Sequence, residues 1–233
     1  MEIALVDGRR SAPQPRLTGH CPVCGSIVIA KCGTQRTWHW SHKGERSCDP
    51  WWEETEWHVS WKSCFPQDWR EIIHTALDGE KHIADVKLAD GRVLEFQHSA
   101  ISEEERQSRE AFYGSMIWIV DGRRRKRDIQ TFQTTLHQTS RDPLVYSGYK
   151  EDCALLRDWV GRPVHVVFDL GDRKEDVAAF GATVLWQLHP DPQGQVILTP
   201  IPKKVLIDML HKGTALRHLR RTQAPAPRPI RRF

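Results

Sequence analysis

The sequence lacks the features that place a chain in a membrane or outside the cell. No apolar run approaches the roughly 20 residues that a membrane-spanning helix needs. The first ten residues, MEIALVDGRR, show no basic start followed by an apolar block and a small-residue cleavage site, so no secretory signal is visible. We therefore expect a cytoplasmic protein with no membrane partner, whose six cysteines are metal ligands or free thiols rather than disulfides.

Acidic residues are scarce towards the end of the chain. From Lys203 to Phe233 there are nine Lys and Arg and one Asp, a local excess of +8 in a chain of net charge +4. A second basic run consists of Arg123, Arg124, Arg125, Lys126 and Arg127. Such clusters favour a polyanionic partner because they contact phosphates. A solvated loop and a frayed tail explain them about as well, so charge alone does not decide.

Composition and hydrophobic periodicity divide the chain into four parts. We expect an N-terminal strand and a metal module over residues 1–49, a core over 50–128, a C-terminal α/β region over 129–220 and a disordered basic tail over 221–233. No internal repeat is visible. After residue 130 the pattern predicts two strands and a basic helix, over Val164–Leu170, Val196–Thr199 and Lys203–Leu219.

The core has a predicted element order of helix, three strands, helix and strand. Asp49-Pro50 is a helix start, and the helix is expected from about Trp51 to Cys64. Ser102 with Glu105 forms a capping-box pattern that opens the second helix. The strands are expected over residues 69–76, 82–88, 92–98 and 116–120.

A dense group of Cys and His predicts a zinc module. Cys21-Pro-Val-Cys24-Gly supplies two thiolates on a tight turn, and His42 and Cys48 complete a tetrahedral set. His39 is the alternative third ligand, and Cys32 also competes but falls within the hairpin between the two pairs. A redox Cys-x-x-Cys is disfavoured because no βαβ pattern is near. With four protein ligands the zinc would be structural.

The hairpin after the first helix carries the acidic pair. A two-residue loop would place Asp85 opposite Phe96, whereas the three-residue loop 89–91 with a left-handed Gly91 pairs Asp85 with Glu95. The second register separates an apolar face, with Ala84, Val86, Leu94 and Phe96, from a polar one that holds Asp85, Glu95 and Gln97, so we favour it. Two carboxylates about 5 Å apart at Cβ can share one cation, and open oxygen coordination suits magnesium. A solvent-facing strand is the alternative interpretation.

A possible extension of the acidic site lies on the preceding helix. Glu54, His58 and Lys62 are four residues apart and share one helical face. An exposed ion-pair stripe would show the same pattern. The acidic pair on the hairpin and the polar stripe on the helix support each other, because both fall within one unit of a helix, three strands and a helix.

These motifs, taken in order, resemble the competence protein CoiA-like family of the PD-(D/E)XK nuclease superfamily. The resemblance covers about residues 1–125 and rests on the following segments: the zinc knuckle, His39-Trp-Ser-His42, Cys48, Glu54 with His58 and Lys62, Ile83-Ala-Asp85, Glu95-Phe-Gln97-His-Ser99, and Arg109 with Tyr113 before Trp118.

The resemblance implies an α+β fold with an αβββαβ restriction-endonuclease-like core behind the zinc module. It also implies magnesium or manganese bound by Asp85, Glu95 and the Phe96 backbone carbonyl. Gln97 stands where many superfamily members have a catalytic Lys, and Gln carries neither a proton nor a charge. We infer that Gln97 orients water and that Lys62 or His58 supplies the missing charge or proton transfer.

Three functional hypotheses follow. The first is a metal-dependent nuclease that hydrolyses DNA phosphodiester bonds, in DNA processing, recombination or uptake. Glu54 would complete the metal shell, Arg109 and Tyr113 would buttress the site or contact phosphate, and the basic run 123–127 would follow the DNA backbone. The second is a zinc-containing DNA-binding module with an inactive nuclease fold. The third is an interaction protein that binds a protein partner through residues 131–233.

Overall fold

Two separate β-sheets form the frame of the chain. The computed structural model describes residues 1–44, 55–76, 79, 81–190 and 195–219. Within these ranges the fold is mixed α and β, with a five-stranded sheet, a nine-stranded sheet and six α-helices. The predicted sites at Cys48 and Glu54, the helix start at Asp49 and the basic tail lie outside the described residues.

The small sheet is antiparallel and contains the predicted metal module. Its strands run in the order β2-β1-β3-β4-β5. They are β1 Ala4–Val6, β2 Arg9–Ser11, β3 Thr18–His20, β4 Ile27–Lys31 and β5 His39–His42. Its small core is formed by Met1, Ala4, Cys21, Val28 and Trp40. A core of this size buries little apolar surface, so a bound metal would add much of the stability that the module needs.

The large sheet contains every other strand of the described chain, in the order β10-β11-β14-β13-β12-β9-β8-β7-β6. The strands are β6 Arg70–Thr75, β7 Lys81–Lys87, β8 Val93–Gln97, β9 Met116–Asp121, β10 His137–Arg141, β11 Leu144–Gly148, β12 His165–Asp169, β13 Val184–His189 and β14 Val196–Pro202. Only the β8–β9 and β9–β12 pairs are parallel. Because β12 pairs with β9, one sheet continues across the expected boundary at residue 128.

Helices cover both faces of the large sheet. They are α1 Glu56–Lys62, α2 Glu103–Tyr113, α3 Lys126–Thr135, α4 Ala154–Trp159, α5 Lys174–Phe180 and α6 Lys203–His211. One apolar cluster contains side chains of α1 and α6, and the other contains side chains of α3 and α4. All six residues of β9 are buried, as expected for a central strand with helices on both faces.

The order of elements from α1 to β9 is the predicted one: helix, three strands, helix and strand. Ser102 caps α2 by accepting a hydrogen bond from the Glu105 backbone N–H, as the capping pattern predicts. The predicted continuous helix from Trp51 is wrong. Thr55 is extended and accepts a hydrogen bond from the His58 N–H, so α1 begins at Glu56. A threonine side chain that satisfies a free N–H of the first turn stabilises that start.

Two indole groups hold α1 against the sheet. The Nε1 atoms of Trp57 and Trp61 donate to the same oxygen of Asp169, Oδ2, at 3.0 and 2.8 Å. Lys203 Nζ lies 3.7 Å from this oxygen and 4.2 Å from the Trp61 ring centroid. The buried carboxylate is therefore compensated by two donors and a cation. This contact fixes the position of the side chains that α1 directs towards β7 and β8.

The C-terminal region was predicted only in part. The expected strands at Val164–Leu170 and Val196–Thr199 are present as β12 and β14. The expected helix from Lys203 ends at His211 rather than Leu219. The local sequence pattern did not predict strands β10, β11 and β13 or helices α3 to α5.

Candidate metal and catalytic sites

The first candidate site lies in the small sheet, where three soft ligands converge. The ligand atoms of Cys21, Cys24 and His42 lie within 4.8 Å of one another, and Cys24 Sγ is 3.3 Å from His42 Nε2. Gly25, at φ +72°, forms the tight turn after the thiols, and its N–H donates to the Cys21 carbonyl. Burial raises the pKa of the Cys21 thiol, and the nearby Cys24 thiol acts in the same direction. This donor set can hold a metal such as zinc.

The alternative third ligand does not belong to this group. His39 and His42 are three residues apart on β5, and His39 Nδ1 hydrogen-bonds with the Thr37 carbonyl instead. Cys32 is also outside the group, and Cys48 lies outside the described residues. No disulfide joins the cysteines at the described positions 21, 24, 32, 64 and 153. The structure therefore favours His42 over His39.

The second candidate site lies in the hairpin of β7 and β8, which has the three-residue loop. Val86 pairs with Leu94 and Lys87 with Val93, and the next step of this register would set Asp85 opposite Glu95. Gly91 has a φ of +89°, the left-handed conformation that this loop requires.

The faces of this hairpin follow the predicted separation with one exception. Val86, Leu94 and Phe96 belong to the apolar cluster that α1 covers. Ala84 was expected on the same face, but it packs in the cluster on the other side of the sheet. The expectation was wrong at this residue because the ladder is interrupted beside it, at Asp85.

The two strands stop pairing at the acidic residues. The Phe96 N–H donates to Asp85 Oδ2 at 2.8 Å instead of to a backbone carbonyl. The Phe96 carbonyl accepts from His58 Nε2 at 2.7 Å, and His58 Nδ1 contacts the Thr55 hydroxyl at 3.0 Å. Both backbone groups of Phe96 are therefore directed towards side chains of the candidate site. The predicted carbonyl ligand keeps a second lone pair beside the one that His58 uses.

Glu95 is a buried carboxylate beside a guanidinium. Arg109 Nη1 donates to Glu95 Oε2 at 2.9 Å, and Arg109 Nη2 donates to Glu105 Oε1 at 2.9 Å. Burial, and then the charge of Asp85, raise the pKa of Glu95 to about 8. Among the described residues, Glu95 Oε1 and the Tyr113 hydroxyl are buried without a hydrogen-bond partner. Arg109 and Tyr113, which were predicted to buttress the site or to contact phosphate, both lie beside Glu95, and the Arg109 contact favours the first of these roles.

Lys62 bridges two carboxylates on neighbouring strands. Its Nζ lies 3.3 Å from Asp85 Oδ1 and 3.3 Å from Glu71 Oε1, and the side chains of Lys62 and Glu71 are only 3% and 2% exposed. His58 and Lys62 therefore both reach the hairpin from α1. An exposed ion-pair stripe is excluded for Lys62.

Glu71 is a site residue that sequence reasoning missed. Its carboxylate accepts from the backbone N–H groups of Glu2 and Ile3 at 2.8 and 2.9 Å, so it joins the small sheet to the large one. Arg10 donates to the carbonyl oxygens of Glu71 and Arg70. Glu71 has a φ of +47°, unusual for a residue with a Cβ. No local pattern marks it.

Gln97 is occupied by a local contact. Its Nε2 donates to the Ser99 carbonyl at 2.8 Å and to the Ser99 hydroxyl at 3.3 Å. Next to it, His98 Nδ1 lies 2.8 Å from Asp121 Oδ2. An orienting contact of Gln97 with water would have to use its amide oxygen, because both amide contacts to Ser99 use the nitrogen.

The basic run after β9 is partly neutralised within the protein. Arg123 Nε donates to Asp121, and Arg125 donates to Asp128 and Asp158. Lys126 and Arg127 belong to α3, so the run is not the continuous loop that was expected. Arg124, Lys126 and Arg127 are exposed. The surface available for phosphate contacts is therefore smaller than the sequence suggests.

The arrangement around the hairpin combines two carboxylates, a buried ammonium and a guanidinium. In the described ranges, Cys21, Cys24 and His42 are the one group of three or more His, Cys, Asp or Glu ligands within 4.8 Å. A cation at the hairpin would hence take two carboxylates plus carbonyl and water oxygens, which is the coordination that magnesium accepts.

Comparison with known proteins bears on the first of these sites. Residues 16–50 match the family model of the N-terminal domain of competence protein CoiA. The CoiA match spans strands β3 to β5 with Cys21, Cys24 and His42, and it ends before α1. No curated protein and no solved structure matches the chain. Among the described helices, none is both long and apolar enough to cross a membrane.

Proposed function

We propose that the chain is a divalent-metal-dependent DNA nuclease of the PD-(D/E)XK type with a structural zinc module. The observation that supports this best is the register of the β7–β8 hairpin. The next step of this register would set Asp85 opposite Glu95, the charge of Asp85 acts on Glu95, and Lys62 lies 3.3 Å from the Asp85 carboxylate. A carboxylate pair beside a buried ammonium, in a helix, three-strand, helix and strand unit, fits phosphodiester hydrolysis with magnesium or manganese.

In this proposal, some residues around the hairpin hold a metal ion and others keep those ligands in position. Asp85, Glu95 and the Phe96 carbonyl would hold the ion. A bound divalent ion lowers the pKa of a coordinated water and neutralises charge on the reacting phosphate. Arg109 keeps Glu95 oriented through its 2.9 Å contact, and His58 holds the Phe96 carbonyl through its 2.7 Å contact. Both act as positioning residues.

Lys62 takes the role that a lysine has at the position of Gln97 in many superfamily members. Its ammonium lies beside Asp85 and is shielded from water, where an electrostatic contact has more effect than at the surface. It would stabilise negative charge that develops on the phosphate. Gln97 would orient water through its amide oxygen, and Glu54 would add to the metal shell.

The zinc module is proposed to act structurally. Cys21, Cys24 and His42 supply three ligands, and Cys48 is the fourth that we propose. The match to the CoiA N-terminal domain covers this segment, so DNA processing, recombination or uptake is the setting that we propose. The contact of Glu71 with the Glu2 and Ile3 amides would transmit the order of this module to Lys62.

The decisive test is DNA cleavage by the wild type and Asp85→Ala. Single- and double-stranded substrates would be incubated with magnesium or manganese. Asp90→Ala is a matched control, because it removes a carboxylate from the tip of the same hairpin, where Asp90 pairs with Arg92. We expect metal-dependent cleavage by the wild type and Asp90→Ala, and none by Asp85→Ala. Absence of cleavage by the wild type would reject the nuclease.

One observation favours the inactive DNA-binding module as a second candidate. Arg109 donates to Glu95 at 2.9 Å and offsets part of its charge, so the protein already supplies some of the compensation that a metal would give. In that case the wild type would bind DNA without cutting it, and Asp85→Ala would leave the affinity unchanged. The same set of variants therefore distinguishes the two functions.

A further inference from the structure

A cavity of about 440 Å³ opens beside Gln97, at the carboxyl ends of β8 and β9. The helices α2 and α4 and the segment that leads into α3 form its walls. Five arginines line it, namely Arg106, Arg124, Arg125, Arg157 and Arg162. Its volume is in the range of about 300–1,000 Å³ that is usual for small-ligand sites. It therefore has room for one nucleotide and not for a duplex.

The lining has an excess of positive charge. Four carboxylates face the five arginines, namely Glu103, Asp121, Asp128 and Asp158. Asp121 is already compensated by Arg123, which does not line the cavity. Arg124 and Arg157 are exposed, and the Arg157 Nε lies 3.9 Å from Asp158. A small anion that enters the cavity would thus meet guanidinium groups on several walls.

Two buried donors in the lining are unsatisfied. Within the described residues, the Nε atoms of Arg106 and Arg162 are buried and have no hydrogen-bond partner. Arg106 is only 6% exposed, its Nη1 donates to the Asp158 carbonyl and its guanidinium lies 4.9 Å from the Trp159 ring centroid. Burial, and then the nearby Arg162, lower the pKa of Arg106. An anion bound beside these two guanidinium groups would reduce their repulsion.

We propose that this cavity binds the phosphate monoester at the end of a DNA strand. The inference rests on the proposed nuclease function, since Gln97 lines the cavity and lies two residues after Glu95 on β8. A terminal phosphate bound there places a bond near the strand end at the acidic pair. A phosphate monoester carries about −1.5 to −2 charges at neutral pH, more than a diester, and arginines bind it in a bidentate way.

The test compares strand ends in a binding experiment without added divalent metal, so that cleavage does not interfere. Fluorescence anisotropy would measure the affinity of one single-stranded oligonucleotide with a 5′-phosphate, a 3′-phosphate or only hydroxyl ends. We expect one phosphorylated form to bind at least about tenfold more tightly than the hydroxyl form, about 1.4 kcal/mol. The strand end at which a phosphate increases the affinity, 5′ or 3′, identifies the polarity of the site. Equal affinities for the three forms would overturn the proposal.

A matched pair of double variants locates the effect. Arg124→Ala/Arg157→Ala removes two exposed charges from the cavity, whereas Lys126→Ala/Arg127→Ala removes two exposed charges from the adjacent start of α3, outside the lining. The first should abolish the preference for a phosphorylated end. The second should weaken binding of all ends equally and keep the preference. A preference lost equally in both would reject the cavity as its source.

Failure of this proposal differs from failure of the nuclease proposal. A wild type that cuts DNA but ignores terminal phosphate retains the nuclease and loses the cavity site. A wild type that prefers phosphorylated ends but cuts nothing retains the cavity site in a binding protein. Competition by inorganic phosphate and by a nucleoside 5′-monophosphate should release the phosphorylated strand alone, and no effect of either would contradict the site.

Discussion

The carboxylate of Glu71 joins the backbone of the first strand segment to the ammonium of Lys62. It accepts the N–H groups of Glu2 and Ile3 and lies 3.3 Å from Lys62 Nζ, which in turn lies 3.3 Å from Asp85. The small sheet and the candidate catalytic hairpin therefore share one buried polar network. Order in the N-terminal module and the position of Lys62 are coupled through a single side chain.

Replacement of this carboxylate should be costly. Gln at position 71 offers one acceptor oxygen to two backbone donors and no charge to Lys62. We expect Glu71→Gln to lower the free energy of unfolding by about 3–5 kcal/mol, as when one partner of a buried pair is removed. Glu2→Gln is the control, because the half-exposed Glu2–Arg70 pair at 3.7 Å is worth about 1 kcal/mol or less. Urea denaturation measures both, and similar losses would contradict the network.

The contrast between Asp85 and Glu71 shows how far the sequence could lead. Asp85 and Glu95 were predicted because loop length and alternating polarity fix a hairpin register locally. Glu71 was not, because its role depends on contacts with residues almost seventy positions away. The start of α1 at Thr55 was missed although threonine is a common N-cap, since Asp49-Pro50 offered a competing start.

The order of strands in the large sheet could not be predicted from local sequence either, because it depends on contacts between distant residues. β12 pairs with β9 across more than forty residues, so the continuity of the sheet is a long-range property. β13, Val184–His189, is entirely buried although it contains Gln187 and His189, so its local pattern did not mark it as a central strand. The convergence of Cys21, Cys24 and His42, by contrast, was predicted from spacing alone, because metal-ligand chemistry restricts which residues can serve.

Zinc content should separate the two histidines of β5. His42→Ala removes a member of the converging group, so we expect the purified variant to lose its zinc. His39→Ala should keep one equivalent, since His39 contacts the Thr37 carbonyl. Elemental analysis measures both, and the opposite pattern would reject the ligand set. In a second pair of variants, Cys48→Ser should lose its zinc and Cys32→Ser should keep it. A chelator should lower the melting temperature of the wild type.

Three clustered histidines in the C-terminal part of the described chain should make stability depend on pH. His165, His189 and His218 are close together, and burial, followed by their mutual repulsion, lowers the pKa of His189 to about 4. His189 accepts the Leu219 N–H and contacts the Thr199 hydroxyl. As the pH falls below about 6.5, the unfolded chain takes up this proton before the folded protein does.

The folded state should therefore lose stability between about pH 6.5 and pH 4, by up to about 1.4 kcal/mol per pH unit for this residue. His189→Gln keeps an acceptor and a donor but cannot titrate, so the difference between the variant and the wild type should show this slope. Denaturation at several pH values measures it. His137→Gln, which removes an exposed histidine, serves as the control; a His189→Gln difference that is constant with pH would refute the explanation.

Lys62 should contribute more than Gln97 to cleavage, because only Lys62 carries a positive charge at the candidate catalytic site. Lys62→Met removes the ammonium beside Asp85, and we expect cleavage to fall by about 10²–10³-fold, the usual loss for one electrostatic contact to a transition state. Gln97→Ala should cost about tenfold or less, because its amide nitrogen is already bound to Ser99. Single-turnover cleavage with saturating metal measures both rates.

A general loss of folding in Lys62→Met would imitate this result, because Glu71 also loses its cation. Glu71→Gln separates the two effects: it weakens the same network but keeps the ammonium near Asp85. If Lys62 acts on the reaction, Glu71→Gln should retain more cleavage than Lys62→Met at a temperature where both are folded by circular dichroism. Equal cleavage rates in these two variants, or a larger loss in Gln97→Ala, would contradict the proposed role of Lys62. The ammonium would then stabilise only the fold, and another residue would stabilise the charge on the phosphate.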